Sequence, residues 1–190
     1  MRIIGGKFKG RRFDPPADNW PTRPTTDYAK EGLFNILNNN IDFEETKMLD
    51  LFGGTGSHCY EFISRGCTDA TYVDKFQAAI NFVKKTAETL KITENIRIIR
   101  SDVFRFMESS GEDYDYIFAG PPYALDTMDT IPDLVFKYKL LRPEGWFVME
   151  HNPHHTYKHH PNYLQERHYG KTIFSFFHHP DHAHQASEEE

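Results

Sequence analysis

The sequence predicts an α/β domain: a seven-stranded, mostly parallel sheet covered by helices on both faces, with an antiparallel hairpin at its C-terminal edge and a basic hairpin preceding it. Three observations carry this prediction. From Lys47 onward, short apolar runs alternate with helical stretches, and strands separated by helices pair in parallel through crossover connections. The first run ends in the glycine-rich "LFGGTG", which lets a strand turn sharply into a helix. The last two segments, "YLQERHY" and "KTIFSFF", alternate polar and apolar residues and meet across Gly170, the pattern of an antiparallel pair.

At the N-terminus, "RIIGGKFKGRRF" reads as two short strands around Gly5-Gly6 and Gly10, a glycine-punctuated hairpin. The connector "DPPADNWPTRPTT", Asp14 to Thr26, is too rich in proline to be helical. Thr26 or Asp27 can cap a helix through "YAKEGLFNILNNN", in which Leu33, Phe34, Ile36 and Leu37 form an apolar side and asparagines end the run. Strands are expected at "KMLDLF", "ATYVD", "IRIIR", "YDYIFA" and "GWFVME", and helices at Ser57 to Arg65, Phe76 to Leu90, Asp102 to Ser109 and Ile131 to Tyr138. The chain then divides into a basic extension over 1–40, a sheet domain over 41–178 and a His- and Glu-rich tail over 179–190.

A chain of 190 residues, 38% hydrophobic and 15% aromatic, can fill the core of one ordinary domain. No run approaches the roughly 18 apolar residues of a membrane span, and the basic N-terminus is unlike a signal peptide, so a cytoplasmic protein without membrane association is expected. Cys59 and Cys67 flank a helix in no metal-ligand spacing and are expected as buried thiols. The net charge of -6 is unevenly placed: residues 1–13 contain Arg2, Lys7, Lys9, Arg11 and Arg12 with no acid, while the chain ends in Glu188, Glu189 and Glu190. A basic arm on an acidic body suits a phosphate-gripping extension; a solvated basic hairpin is the alternative. The histidines around "EHNPHHTYKHH" and in the tail lie in proline-broken loops, so adventitious affinity rather than a functional metal site is expected.

Ligands of such sheets bind beyond the carboxyl ends of the strands. Gly53, Gly54 and Gly56, with Thr55 among them, form the first strand-end turn, although the third glycine of a dinucleotide fingerprint is replaced by Cys59. Asp74, followed by Lys75, ends the second strand about 20 residues beyond the glycines, where a carboxylate can accept ribose hydroxyls. Asp102 follows the third strand and can accept from an adenine amine, with Val103 or Phe104 against the ring. The fourth strand delivers "AGPPY", Ala119 to Tyr123. An adenosine-shaped pocket beside an amine-handling loop implies a methyl donor next to its acceptor.

The order of "RIIGGKFKGRRF", "RPTTDYAKEGLFNIL", "LDLFGGTG", "YVDK", "SDVF", "GPPY", "LLRPEGWFVMEH" and "YGKTIFSFF" closely resembles the RsmD family, S-adenosylmethionine-dependent methyltransferases acting on the exocyclic amine of a guanine in small-subunit ribosomal RNA. The resemblance implies a Rossmann-like class I methyltransferase fold. It implies that Asp50, Phe52, Gly54 and Gly56 form the methionine side of the donor pocket, that Asp74 accepts the ribose and that Asp102 and Val103 meet the adenine. Pro121, Pro122 and Tyr123 match the target-base loop. Arg2, Lys9, Arg11, Arg23, Pro24 and Thr25 match the segment presented near RNA, beside Lys7 and Arg12 of the same basic arm. The implied partner is small-subunit ribosomal RNA or the assembling subunit, met by a monomer. Two departures stand out: Lys30 replaces a common arginine, and Gly120 replaces the loop aspartate.

The second departure bears on chemistry. The lone pair of a guanine amine is delocalised into the ring, and hydrogen-bond acceptors must rotate the nitrogen before it attacks well. Losing one charge-assisted acceptor costs on the order of 1.5–3 kcal/mol, roughly ten- to hundredfold in rate. The sequence therefore also admits a catalytically impaired or silent RNA-binding assembly factor that keeps the donor pocket. An adenine-amine methyltransferase acting on DNA shares the chemistry, but no separate target-recognition domain is present.

Overall fold

A computed structural model of the chain describes residues 1–16, 20 and 24–180. Arg23 and the end of the tail, 181–190, lie outside the described residues. The elements follow the expected order. Helix α1 spans Asp27–Asn40, followed by β1 Lys47–Leu51, α2 Ser57–Ser64, β2 Asp69–Asp74, α3 Gln77–Leu90, β3 Ile96–Arg100, α4 Val103–Ser109 and β4 Tyr114–Ala119. Then come α5 Ile131–Lys137, β5 Leu141–His151, β6 Tyr163–Tyr169 and β7 Thr172–Phe177. Thr26 is the cap of α1, its side chain accepting from the Ala29 amide at 3.2 Å.

The seven strands run in the order β3-β2-β1-β4-β5-β7-β6. The first five are parallel, and β7 pairs antiparallel with both β5 and β6. The order reverses beside β1, which carries the glycine turn and sits between β2 and β4. Central strands covered on both sides must be apolar throughout, and β7 is buried at every position. Strand β6 has no fully buried residue and carries Gln165, Glu166, Arg167 and His168, polar and charged groups that keep an edge from pairing with another chain. β5 begins four residues earlier than the apolar run "GWFVME" suggested, and its pairing with β4 shifts register between Tyr114 and Tyr116.

Two apolar clusters flank the sheet. One gathers Leu33, Phe34 and Leu37 of α1, Phe62 of α2 and Val83 of α3; the other gathers Phe106 of α4 and Val135 of α5. Tyr28 of α1 also meets Tyr169 of β6 edge to face, ring centroids 5.6 Å apart, so the first helix and the edge strand are in contact. Cys59 and Cys67 are buried free thiols.

The basic arm is a tight hairpin joined at an Arg2–Arg12 bridge, with the Ile3 amide donating to Arg11 and the Gly10 amide to Ile3. It is packed down, and Ile3 is 1% exposed. Glu61 of α2, fully buried, is what receives it: Oε1 accepts from the Ile4 amide at 2.6 Å and faces Lys30 Nζ at 3.2 Å, while Oε2 accepts from Arg65 Nε at 3.1 Å. Lys30 Nζ in turn donates to the Arg2 carbonyl at 2.6 Å and to Ser57 Oγ at 3.0 Å. Its burial lowers its pKa, against the pull of Glu61.

Removing one member of a buried ion pair strands the other. Glu61→Ala is expected to cost about 3–5 kcal/mol, lowering the thermal midpoint by roughly 6–20 °C for a domain of this size. It should also make residues 1–13 the first site of limited proteolysis. A midpoint within a degree of the native protein would show that the arm is held by its apolar contacts alone.

Candidate active site

The carboxyl ends of β1 to β4 open into one cavity of about 710 Å³, within the roughly 300–1,000 Å³ usual for small-ligand sites. Every strand end singled out from the sequence contributes to it. Asp50, Phe52, Gly53, Gly54 and Thr55 come from the first, Asp74 and Lys75 from the second, and Asp102, Val103 and Phe104 from the third. The fourth adds Gly120, Pro121, Pro122 and Tyr123. Gly56 does not line the cavity; it adopts a left-handed backbone, φ 82°, as the residue that starts α2. Phe52 is also left-handed, φ 61°, which costs a non-glycine residue roughly 1–2 kcal/mol. Gly53 answers to packing, since a β-carbon there would come 2.2 Å from the Tyr72 ring.

Asp74 organises this end of the sheet. Its Oδ2 accepts from the Gly54 amide and its Oδ1 from the Phe76 amide, both at 2.9 Å. An ionised carboxylate has about four acceptor positions, so two remain for hydroxyls. Asp102 caps α4 by accepting from the Arg105 amide at 3.1 Å. This is the ordinary use of such a residue, combined here with a place on the cavity wall. Val103 is 3% exposed, and Phe104 meets Phe52 edge to face with ring centroids 6.4 Å apart.

Lys30, noted in the sequence only as a departure from the family pattern, also lines the cavity, as do His58 and Glu150, which the sequence did not mark as site residues. Each is buried within an apolar stretch and looks like a surface residue in a linear reading. His58 stacks on Phe118 at 3.8 Å between ring centroids, and its Nε2 pairs with the Tyr116 hydroxyl at 2.9 Å. Burial, assisted by the charge of Lys30, pushes its pKa well below the usual value, so the ring is neutral. Glu150 ends the apolar run of β5 and receives a hydrogen bond from Thr25 Oγ1 at 2.9 Å. Thr25 therefore faces the cavity.

The basic residues of the arm stay outside. Lys7, Lys9, Arg11 and Arg12 are exposed, while Arg2 is half-buried against Asp27 at 3.3 Å. Three of the histidines serve structure: His151 pairs with Ser175, His155 with Asp129 and His160 with Asp133. Among the described residues, no group of three or more His, Cys, Asp or Glu side chains converges as a metal site would require.

A family described as "Conserved hypothetical protein 95" matches residues 1–178. A putative rRNA methyltransferase of Bacillus subtilis is 34% identical over 155 residues, covering 80% of this chain and 83% of the relative. The chain belongs to the RsmD family. The ribosomal RNA small subunit methyltransferase D of Escherichia coli K12 is 32% identical, over 79% of this chain and 71% of that protein. The structure of a putative methyltransferase from Escherichia coli superposes with a TM-score of 0.79 at 27% identity, over 93% of this chain and 96% of that one. The fold is thus that of the RsmD-related methyltransferases, and S-adenosylmethionine is the cofactor. The cavity fits it chemically: Asp74 offers acceptors for the hydroxyls of a nucleoside, between the aromatic walls of Phe52 and Phe104.

Asp50 is 1% exposed. Burial holds its carboxyl well above the usual range, against a hydrogen bond from the Cys59 thiol at 3.6 Å, and the nearby Asp74 and Glu150 push it further up. A carboxyl whose folded pKa is raised stabilises the fold while protonated and loses that contribution as pH rises from about 4 through the folded value. Asp50→Asn cannot ionise, so its thermal midpoint relative to the native protein is expected to climb between pH 5 and pH 8. Parallel melting curves across that range would contradict a neutral Asp50.

Proposed function

We propose that this protein methylates the exocyclic N2 amine of a guanine in small-subunit ribosomal RNA, acting in the cytoplasm as a monomer on that RNA or on the assembling subunit. The observation that carries this reading is that the Gly120 to Tyr123 loop and the donor-side strand ends line one cavity. The substrate class is supported by the Bacillus subtilis and Escherichia coli relatives, whose names specify ribosomal RNA.

In this reading Asp74 accepts the ribose hydroxyls, Asp102 and Val103 meet the adenine, and Asp50, Phe52, Gly54 and Gly56 shape the methionine end, with Thr55 and Lys75 beside them. S-adenosylmethionine supplies an electrophilic methyl group carried on a sulfonium. The chain's part is to bring an amine to it and keep it there, since transfer depends on positioning and a preorganised polar site. Tyr123 stacks on the target base, which leaves its own stack to enter. The Pro121 carbonyl accepts one amine hydrogen. Lys7, Lys9, Arg11 and Arg12, exposed on the hairpin, grip phosphates, and Lys30 ties that hairpin to the cavity wall through the Arg2 carbonyl. A silent assembly factor is the second reading, favoured by the missing side chain at Gly120.

Incubation with labelled S-adenosylmethionine and undermodified small subunits, followed by nucleoside analysis, decides between them. N2-methylguanosine is expected; label in no nucleoside, with RNA still bound, gives the lead to the silent factor. Replacing Lys7, Lys9, Arg11 and Arg12 with glutamine leaves the buried side of the hairpin untouched, whereas deleting the segment would uncover Ile3 and Glu61. The fourfold variant is expected to flatten the slope of log affinity against log salt by up to roughly 3, at 0.7–0.9 per lost phosphate contact. An unchanged slope would remove the hairpin from the RNA interface.

A further inference from the structure

The target loop begins with Gly120 and carries no side-chain acceptor at that position. Strand β5 runs parallel to β4, with Ala119 opposite Met149. The next residues therefore lie side by side at the carboxyl edge of the sheet: Gly120, just beyond β4, and Glu150, still within β5 and paired with Phe174 of β7. A β-carbon built on Gly120 would sit 3.2 Å from Oε2 of Glu150. Glu150 is 7% exposed and lines the same cavity as Pro121, Pro122 and Tyr123. Thr25 Oγ1 donates to its Oε2 at 2.9 Å, which orients the carboxylate at the cavity wall.

We propose that Glu150 is the carboxylate acceptor for the target amine, delivered from β5 to the region that a side chain on the first loop residue would otherwise occupy. This rests on the amine-methylation reading and deepens it. An N2 amine donates two hydrogens, and with one held by Glu150 and the other by the Pro121 carbonyl the nitrogen turns its lone pair out of the ring system. The nitrogen then bonds to the methyl carbon as the carbon–sulfur bond breaks with its electron pair left on sulfur, and the proton the nitrogen loses passes to the Glu150 carboxylate and on to water. Gly120 is then no loss of function: a second carboxylate there would stand against the first, and like charges this close resist ionising together.

Two measurements test the assignment. The first is the affinity, with S-adenosylhomocysteine present, for a short oligoribonucleotide carrying 2-aminopurine against the same strand carrying purine, which lacks the amine. The second is methyl transfer to undermodified small subunits. The native protein is expected to prefer the amine-bearing strand. Glu150→Ala should erase that preference and lower transfer about ten- to hundredfold, with donor affinity by calorimetry hardly moved. Gly120→Asp added to Glu150→Ala should recover both, which a role for Glu150 in merely anchoring Thr25 would not produce. The assignment is overturned if the native protein shows no amine preference, if Glu150→Ala keeps preference or transfer, or if Gly120→Asp alone raises native transfer tenfold. A Glu150-dependent amine preference in a protein that methylates no ribosomal RNA would uphold the assignment and defeat the substrate reading.

Discussion

The arrangement depends on one buried carboxylate. Glu61 lies in the middle of α2, the helix that starts at the glycine turn, and it gathers Lys30 from α1, Arg65 from its own helix and backbone amides from the N-terminal hairpin. Desolvating these charges is expensive, and a well-packed apolar replacement can match a buried ion pair in stability. What the charges provide here is geometry. The donors around Glu61 come from the hairpin, from α1 and from the end of its own helix, so satisfying them fixes the hairpin, α1 and the cavity wall in a single relative position. Lys30 completes the set because its ammonium bridges hairpin, helix and cavity at once. An arginine at that place would offer a planar fork instead of a point charge.

Charge is unevenly placed. The cavity holds Asp50, Asp74 and Glu150, while exposed cations stand on the hairpin. Acidic side chains of the cavity and basic side chains of the hairpin thus occupy different surfaces of one small molecule. The overall charge of -6 conceals this, because a sum carries no position. Asp50 is the most buried of the three, and burial holds its carboxyl well above the usual range.

The sheet was legible because its signals are local. Apolar runs, caps and glycine turns each act within a few residues, and the rule that function sits beyond strand ends led to Asp74, Asp102 and the Gly120 loop. The insertion of β7 between β5 and β6 was not legible, since alternation marks a hairpin but says nothing about which of its strands faces inward. His58 and Glu150 escaped for a related reason. A charged or polar residue inside an apolar run gives no linear sign of whether it turns to solvent or into a cavity, and only the neighbouring strand or helix decides. Glu150 obeyed the strand-end rule all the same: it closes the β5 run as Asp74 closes β2.

The strand order also governs how the molecule can come into being. β7, the last strand, is the partner that β5 needs on its outer side, and β6 pairs with nothing else in the sheet. Until β7 is available, β5 presents an unpaired, largely apolar edge, the kind of surface that aggregates during folding. α1, made early, rests against Tyr169 at the far side of that same pair. That contact between the first helix and the edge strand can form only once one of the last strands has been made. The long sequence separation of these contacts makes closure of the sheet a late, slow event.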